Sequence, residues 1–252
     1  MKNSIEVINL SKSYKTKKAV NNISFKIDEN EIVGLLGPNG CGKTTTIGMI
    51  LGLLKPTSGQ VLINGKNIEN NKISILHKMN FISPYIELPK KLTVKQNLIV
   101  YGKLYNIKNL NERINFLSEK LRLGDLLDKI TGELSSGQKN RVSLAKALIN
   151  DPTVLLLDEP TAALDPETAD FIRTFLEKLR EEKKISVLLA SHNMDEVKRL
   201  CNSIMMMKDG NIVDGGTPED LIEKYGQKNL EEVFLEIVRK DKWILQEYTD
   251  YF

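Results

Sequence analysis

Gly37-Pro38-Asn39-Gly40-Cys41-Gly42-Lys43-Thr44 joins a continuous apolar run, Ile32–Leu36, to a segment of helical periodicity. The spacing is G-x-x-x-x-G-K-[ST] in a strand-to-helix context, and its chemistry is phosphate binding. Glycines let backbone N–H groups turn onto phosphate oxygens, and the helix start adds a favourable dipole. Lys43 is suited to neutralise β- and γ-phosphates, and Thr44 to offer a hydroxyl to Mg²⁺. A plain glycine turn has no need of a lysine there. Cys41 lies inside the loop and reads as a small residue tolerated by the turn, with a reactive thiol as the alternative.

Asp158-Glu159-Pro160 ends a second apolar run, Val154–Leu157. Ligand sites of α/β proteins gather at the carboxyl edge of a parallel sheet. There Asp158 can hold Mg²⁺ directly or through water, while Glu159, diverging from it, can face an attacking water as general base. Taken alone, an acidic strand cap in solvent explains the pair equally well.

His192 falls on the same edge, between the buried run Ile185–Ala190 and a helix start marked by Asn193 and Glu196, a capping-box-like pair. A γ-phosphate contact fits that place. His77 reads as surface. Asp165-Pro166-Glu167 is a sound helix start, with Asp as cap and Pro in the first turn. Ser135-Ser136-Gly137-Gln138 is another: Ser135 and Gln138 form a capping box, yet spare N–H and hydroxyl groups there also make an anion site.

These residues need a frame. Ile5–Leu10 and Ile23–Ile27 alternate as half-buried strands do, and Gln60–Asn64 returns to strand. Ile32–Leu36, Val154–Leu157 and Ile185–Ala190 read as strands covered on both faces, each followed by a helix, so a parallel sheet wrapped by helices is expected. Asp209-Gly210 marks a tight hairpin between Ile204–Lys208 and Asn211–Val213, with Met205-Met206-Met207 as core filling. Between Pro84 and Ile130 the texture changes to helix-like segments at 93–106 and 110–122, an insertion. A charged helical tail is expected after Tyr225.

Composition sets wider bounds. The 252 residues are 41% apolar, with 36 basic against 33 acidic side chains and a net charge of +3, which argues for neither nucleic acid nor lipid. Two cysteines, Cys41 and Cys201, give no disulfide framework and fit a reducing cytosol. Neither a signal region nor a bilayer-spanning run is visible, so a soluble chain is expected, with any membrane role exerted through a partner.

The order phosphate loop, Leu134-Ser135-Ser136-Gly137-Gln138, Asp158-Glu159, Ala163-Leu164-Asp165, His192 resembles that of ATP-binding cassette (ABC) proteins, over roughly residues 4 to 225. Ser136 stands where their signature motif usually has glycine. The resemblance implies a P-loop NTPase (RecA-like) core with an antiparallel β subdomain and a helical subdomain at about 85–135, together forming a cassette over 1–225, then a tail at 226–252. It implies ATP and Mg²⁺ as ligands, and ATP hydrolysis with Lys43, Glu159 and His192 as catalytic groups. Gly37 to Thr45, together with Tyr14 stacked on adenine, would hold the nucleotide. Ser135, Ser136, Gly137, Gln138 and Asp165 would meet it in a head-to-tail dimer of two copies. Thr44 and Asp158 would hold the metal.

In one place the chain departs from the family: the glutamine usual where sheet meets insertion falls on Pro84 or nearby. Leu92-Thr93-Val94, Asn97-Leu98 and the tail segment Leu230–Leu235 look like cassettes of drug- and polysaccharide-type exporters. The expectation is therefore the ATPase subunit of an exporter, docked on the cytoplasmic face of a separate permease whose short helix enters the groove beside the insertion. An importer ATPase is one alternative. A soluble cassette acting on ribosomes or DNA is the other, weakened by the absence of a second cassette, long coiled coils or a basic tail.

Overall fold

A computed structural model describes residues 3–84 and 86–249, with side chains described through Arg239. Two sheets form the frame. The first is antiparallel, in the order β2-β1-β4-β5, built from β1 (Asn3–Tyr14), β2 (Lys17–Asp28), β4 (Ser58–Ile63) and the short β5 (Lys66–Asn67). The second, in the order β10-β9-β3-β8-β7-β6, contains β3 (Ile32–Leu36), β6 (Met79–Ile82), β7 (Val154–Asp158), β8 (Ser186–Ala190), β9 (Ser203–Lys208) and β10 (Asn211–Gly216). Its strands run parallel except β10, which returns antiparallel along β9 through the Asp209-Gly210 turn.

All five residues of β3, β7 and β8 are buried, as a strand covered on both faces requires. Period-two alternation splits them between two cores. Val33, Leu35, Val154, Leu156, Leu188, Ala190, Met205 and Met207 pack towards the antiparallel sheet and helix α1 (Lys43–Ile50). Ile32, Leu36, Leu155, Leu157, Val187, Leu189, Ile204 and Met206 face the layer of α5 (Ser136–Leu148), α6 (Pro166–Glu182) and α7 (Met194–Leu200). The methionine triplet is thus core on both faces.

Helix α2 (Ile68–Leu76) leads into β6, an edge strand that sequence periodicity does not announce. The segment between β6 and α5 carries α3 (Val94–Leu104) and α4 (Leu110–Lys120). A Thr93/Gln96 capping box starts α3, and Val94 N–H to Lys129 O (3.0 Å) with Thr131 N–H to Leu92 O (2.9 Å) closes the segment on itself. After β10 come α8 (Pro218–Tyr225) and α9 (Leu230–Thr249). The tail differs from its charged appearance: Leu230, Val233 and Ile237, spaced three and four apart, are buried in the helix-side core. No described helix is long and apolar enough to cross a membrane.

Candidate nucleotide site

The loop from Gly37 to Gly42 leaves β3 at its carboxyl end and turns into α1. Gly42 caps that helix at φ +115°, a conformation L side chains rarely adopt, and no side chain caps it. The first N–H groups of α1 are therefore open to an anion. A methyl on Gly37 would meet the Met207 carbonyl oxygen at 2.2 Å, so the loop lies flat on β9. Lys43 is buried, its Nζ donating to the carbonyls of Gly37 (2.6 Å) and Pro38 (3.2 Å). From there it lines the cleft above the loop. Cys41 is also buried, packed in the core on the antiparallel-sheet side, and that burial pushes its thiol up despite the neighbouring Lys43, in keeping with a small packing residue.

A cleft of about 670 Å³ opens over the loop, lined by Tyr14, Gly37 to Gly40, Gly42 to Thr45, Asp158, Glu159 and His192. Strands β3, β7 and β8 bring these groups together from far-apart stretches because all three end at one sheet edge. Asp158 is 4% exposed, and its Oδ2 is buried without a hydrogen-bond partner. Burial first, then the charge of Glu159, raises the Asp158 carboxyl, and Lys43 opposes them. A buried, orphaned hard oxygen near the exposed Thr44 hydroxyl fits a divalent cation.

Glu159 is held at φ +52°, a left-handed conformation that is strained for a residue other than glycine. Its N–H donates to Ala190 O at 2.7 Å, locking it to the end of β8. Its Oε1 lies 2.7 Å from His192 Nδ1, and its Oε2 accepts from the His192 N–H at 3.4 Å. The expected phosphate-facing histidine is therefore also the immediate partner of the expected base. Pro84, the place on or near which the family's usual glutamine falls, lines this same cleft. Lys17, Ala19 and Phe234 line it too and were not anticipated. Phe234 is the surprise, since the exporter-like tail segment that contains it gave no sign of reaching the nucleotide cleft.

The other helix start stands apart. Ser135 caps α5 in a complete capping box, its Oγ accepting from Gln138 N–H (3.3 Å) and its N–H donating to Gln138 Oε1 (3.0 Å). Ser135 and Ser136 are exposed, and neither they nor Gly137, Gln138 and Asp165 line the phosphate cleft. Ser136 borders an adjoining groove of about 230 Å³ with Ile82, Leu88 and Asn140, which shares Pro84, Glu159 and Ala162 with the phosphate cleft. Asp165 caps α6 through Thr168 N–H, as expected. His77 is exposed.

The Asn193/Glu196 pair needs correcting. Asn193 Oδ1 does accept from Glu196 N–H (3.0 Å), but the Glu196 carboxylate does not return to Asn193. It turns inward to Thr161 and Ser191 instead, because the core beneath α7 offers two hydroxyl donors and Ser191 Oγ already accepts the Asn193 N–H.

Comparison with known proteins agrees with this geometry. Residues 20–162 match the family described as ABC transporter. A choline transport ATP-binding protein of Bacillus subtilis is 36% identical over 89% of the chain, which spans 60% of that relative. A Nod factor export ATP-binding protein of Burkholderia lata is likewise 36% identical, over 87% of the chain and 72% of its own length. Among solved structures, a dimeric ATP-binding cassette in a post-hydrolysis state, bound to ADP and Pi, superposes with a TM-score of 0.77 at 28% identity, covering 84% of this chain and 98% of that one. With a phosphate loop, paired acids and a histidine gathered in one cleft, the chain belongs to the ABC transporter family, as one of its ATP-binding, ATP-hydrolysing cassettes.

Proposed function

We propose that two copies of this chain close head to tail on two ATP molecules and drive a separate membrane permease as an exporter. One observation carries the reading. The cleft assembles everything needed to hold and attack a triphosphate except donors on its open side, while the α5 start presents exposed Ser135 and Ser136 outside the cleft. Each half supplies what the other lacks, so the full site is built from two chains.

Within it, Tyr14, 47% exposed at the end of β1, offers a face for adenine. Lys43 and the Gly37–Thr45 amides bind phosphate oxygens. Thr44 and Asp158 hold Mg²⁺, which, when bound, neutralises charge developing on the transferred phosphoryl group. Glu159 accepts a proton from the attacking water, and His192, bonded to it, fixes its orientation and reaches the γ-phosphate. Ser135 to Gln138 of the second copy close over that phosphate, and Asp165 starts the helix beside it. Pro84 supplies no side-chain carbonyl to the metal or the water at that place.

The export direction rests on the exporter-like insertion and tail and on the likeness to a Nod factor export cassette. The choline transport cassette matches at the same identity, so identity alone carries no direction. The chain would sit on the inner face of the cell membrane through its permease, and nothing in its charge favours nucleic acid. Tagged chain purified from its own cells should bring down a polytopic membrane protein; ribosomes or DNA in its place would sink the reading.

A further inference from the structure

Glu196 is 0% exposed, and among the described residues no Lys, Arg or His lies within ion-pair distance of it. Its Oε1 accepts from Thr161 Oγ1 at 2.8 Å and its Oε2 from Ser191 Oγ at 2.6 Å. Both donors are buried as well. Arg173 acts on it only from beyond contact distance. A buried carboxylate with no cation in contact is costly, and an apolar side chain would fill the same volume without that penalty. The placement of its two partners offers a reason for it. Thr161 lies two residues beyond Glu159, on the loop leaving β7, and Ser191 immediately precedes His192, on the loop leaving β8. Asn193 N–H donates to the same Ser191 Oγ at 3.1 Å, and Asn140 of α5 donates to Pro160 O on the first loop at 2.6 Å. One carboxylate therefore spans the two loops that carry the 2.7 Å contact between Glu159 and His192.

We propose that Glu196 is a positioning residue for hydrolysis: by bridging Thr161 and Ser191 it fixes the separation of the two loops, so that Glu159 and His192 meet in the orientation the reaction needs. The inference rests on the reading of Glu159 as base. Glu196 itself lines no part of the nucleotide cleft and touches no reacting atom.

The test separates turnover from binding. Thr161→Val removes one hydroxyl at nearly constant volume, and Thr161→Ser keeps it. Hydrogen bonds to a charged group are strong enough that the valine variant should lose about 10- to 100-fold in kcat, while ATP affinity stays within about twofold. The serine variant should recover most of the turnover. Glu196→Gln, which leaves one acceptor in place, should fall between wild type and Glu196→Ala. Should Glu196→Ala fail to fold, the threonine pair still decides. Wild-type kcat for Thr161→Val, or parallel losses of kcat and ATP affinity, would overturn the proposal. Glu159→Gln is the control for the underlying reading: if that variant turns over normally, the assignment of the base fails, whatever Thr161 does.

Discussion

Two helix starts in this chain look alike in sequence and are built for opposite situations. Gly42-Lys43-Thr44 and Ser135-Ser136-Gly137-Gln138 are both small and polar, and both precede a helix that packs on the central sheet. At α1 the cap is a glycine with φ +115° and no side chain, so the first-turn N–H groups are left for a ligand of the same chain. At α5 the cap is a serine whose hydroxyl and N–H are both engaged with Gln138, and the start is exposed. A helix start that binds phosphate within its own chain keeps its donors bare. On the proposed head-to-tail reading, the second start waits for another molecule and is better kept satisfied meanwhile, since unpaired polar groups cost free energy.

The largest expected effect lies on the α1 side. Lys43→Ala removes the buried cation that rests on Gly37 and Pro38 carbonyls, and with it the charge facing the β- and γ-phosphates. Hydrolysis should fall to background and ATP binding should weaken, measured as steady-state phosphate release and nucleotide titration. Near wild-type turnover would remove the α1 start from the comparison altogether.

Next comes Glu159→Gln. Lys43, Thr44 and Asp158 remain, so ATP should still bind, while water activation and the carboxylate's contact to His192 are lost. Loss of a general base is expected to cost about 10²- to 10⁴-fold in kcat. A dimer should then persist on gel filtration with ATP and disappear with ADP. Normal hydrolysis by this variant would show that the base is another group.

Ser135→Arg acts on the α5 side with ATP binding left nearly intact, because the bound nucleotide belongs to the α1 of its own chain. Hydrolysis should drop sharply if closure needs Ser135 of a second copy. Mixed with Lys43→Ala, some activity should return, since one composite site of the mixed dimer carries neither defect. Ser135→Asp sharpens the point: aspartate is as good a cap. Full activity in that variant would reduce Ser135 to a helix start.

The two sides were not equally legible in the sequence. Lys43, Asp158 and Glu159 sit where local strand-to-helix patterning puts them, and buried apolar runs fix the strand ends that carry them. The Ser135 start reads equally well as cap or anion site, because a capping box and a ligand site use the same atoms. Phe234 and the Glu196 bridge escaped for another reason. Their partners lie far away in the chain or buried beneath α7, and an edge strand such as β6 has only four residues from which to show a period.

The smallest effect compares the glycines. A methyl on Gly37 would strike backbone, the Met207 carbonyl oxygen, at 2.2 Å, so Gly37→Ala should disrupt the loop and lower the melting temperature. The atoms nearest a methyl on Gly137 belong to the Thr168 side chain, at 3.0 Å, and threonine can give by a few tenths of an ångström. Alanine in a helix is also favoured over glycine by up to about 1 kcal/mol, so the two terms roughly offset. Gly137→Ala should melt close to wild type. Any large loss of ATPase activity in that variant cannot then be charged to folding, nor to its own nucleotide, because Gly137 lies outside the cleft. It would point to close approach by the nucleotide of a second copy, where even a methyl is too much. Wild-type turnover would mean that Gly137 serves only the packing of α5 on α6.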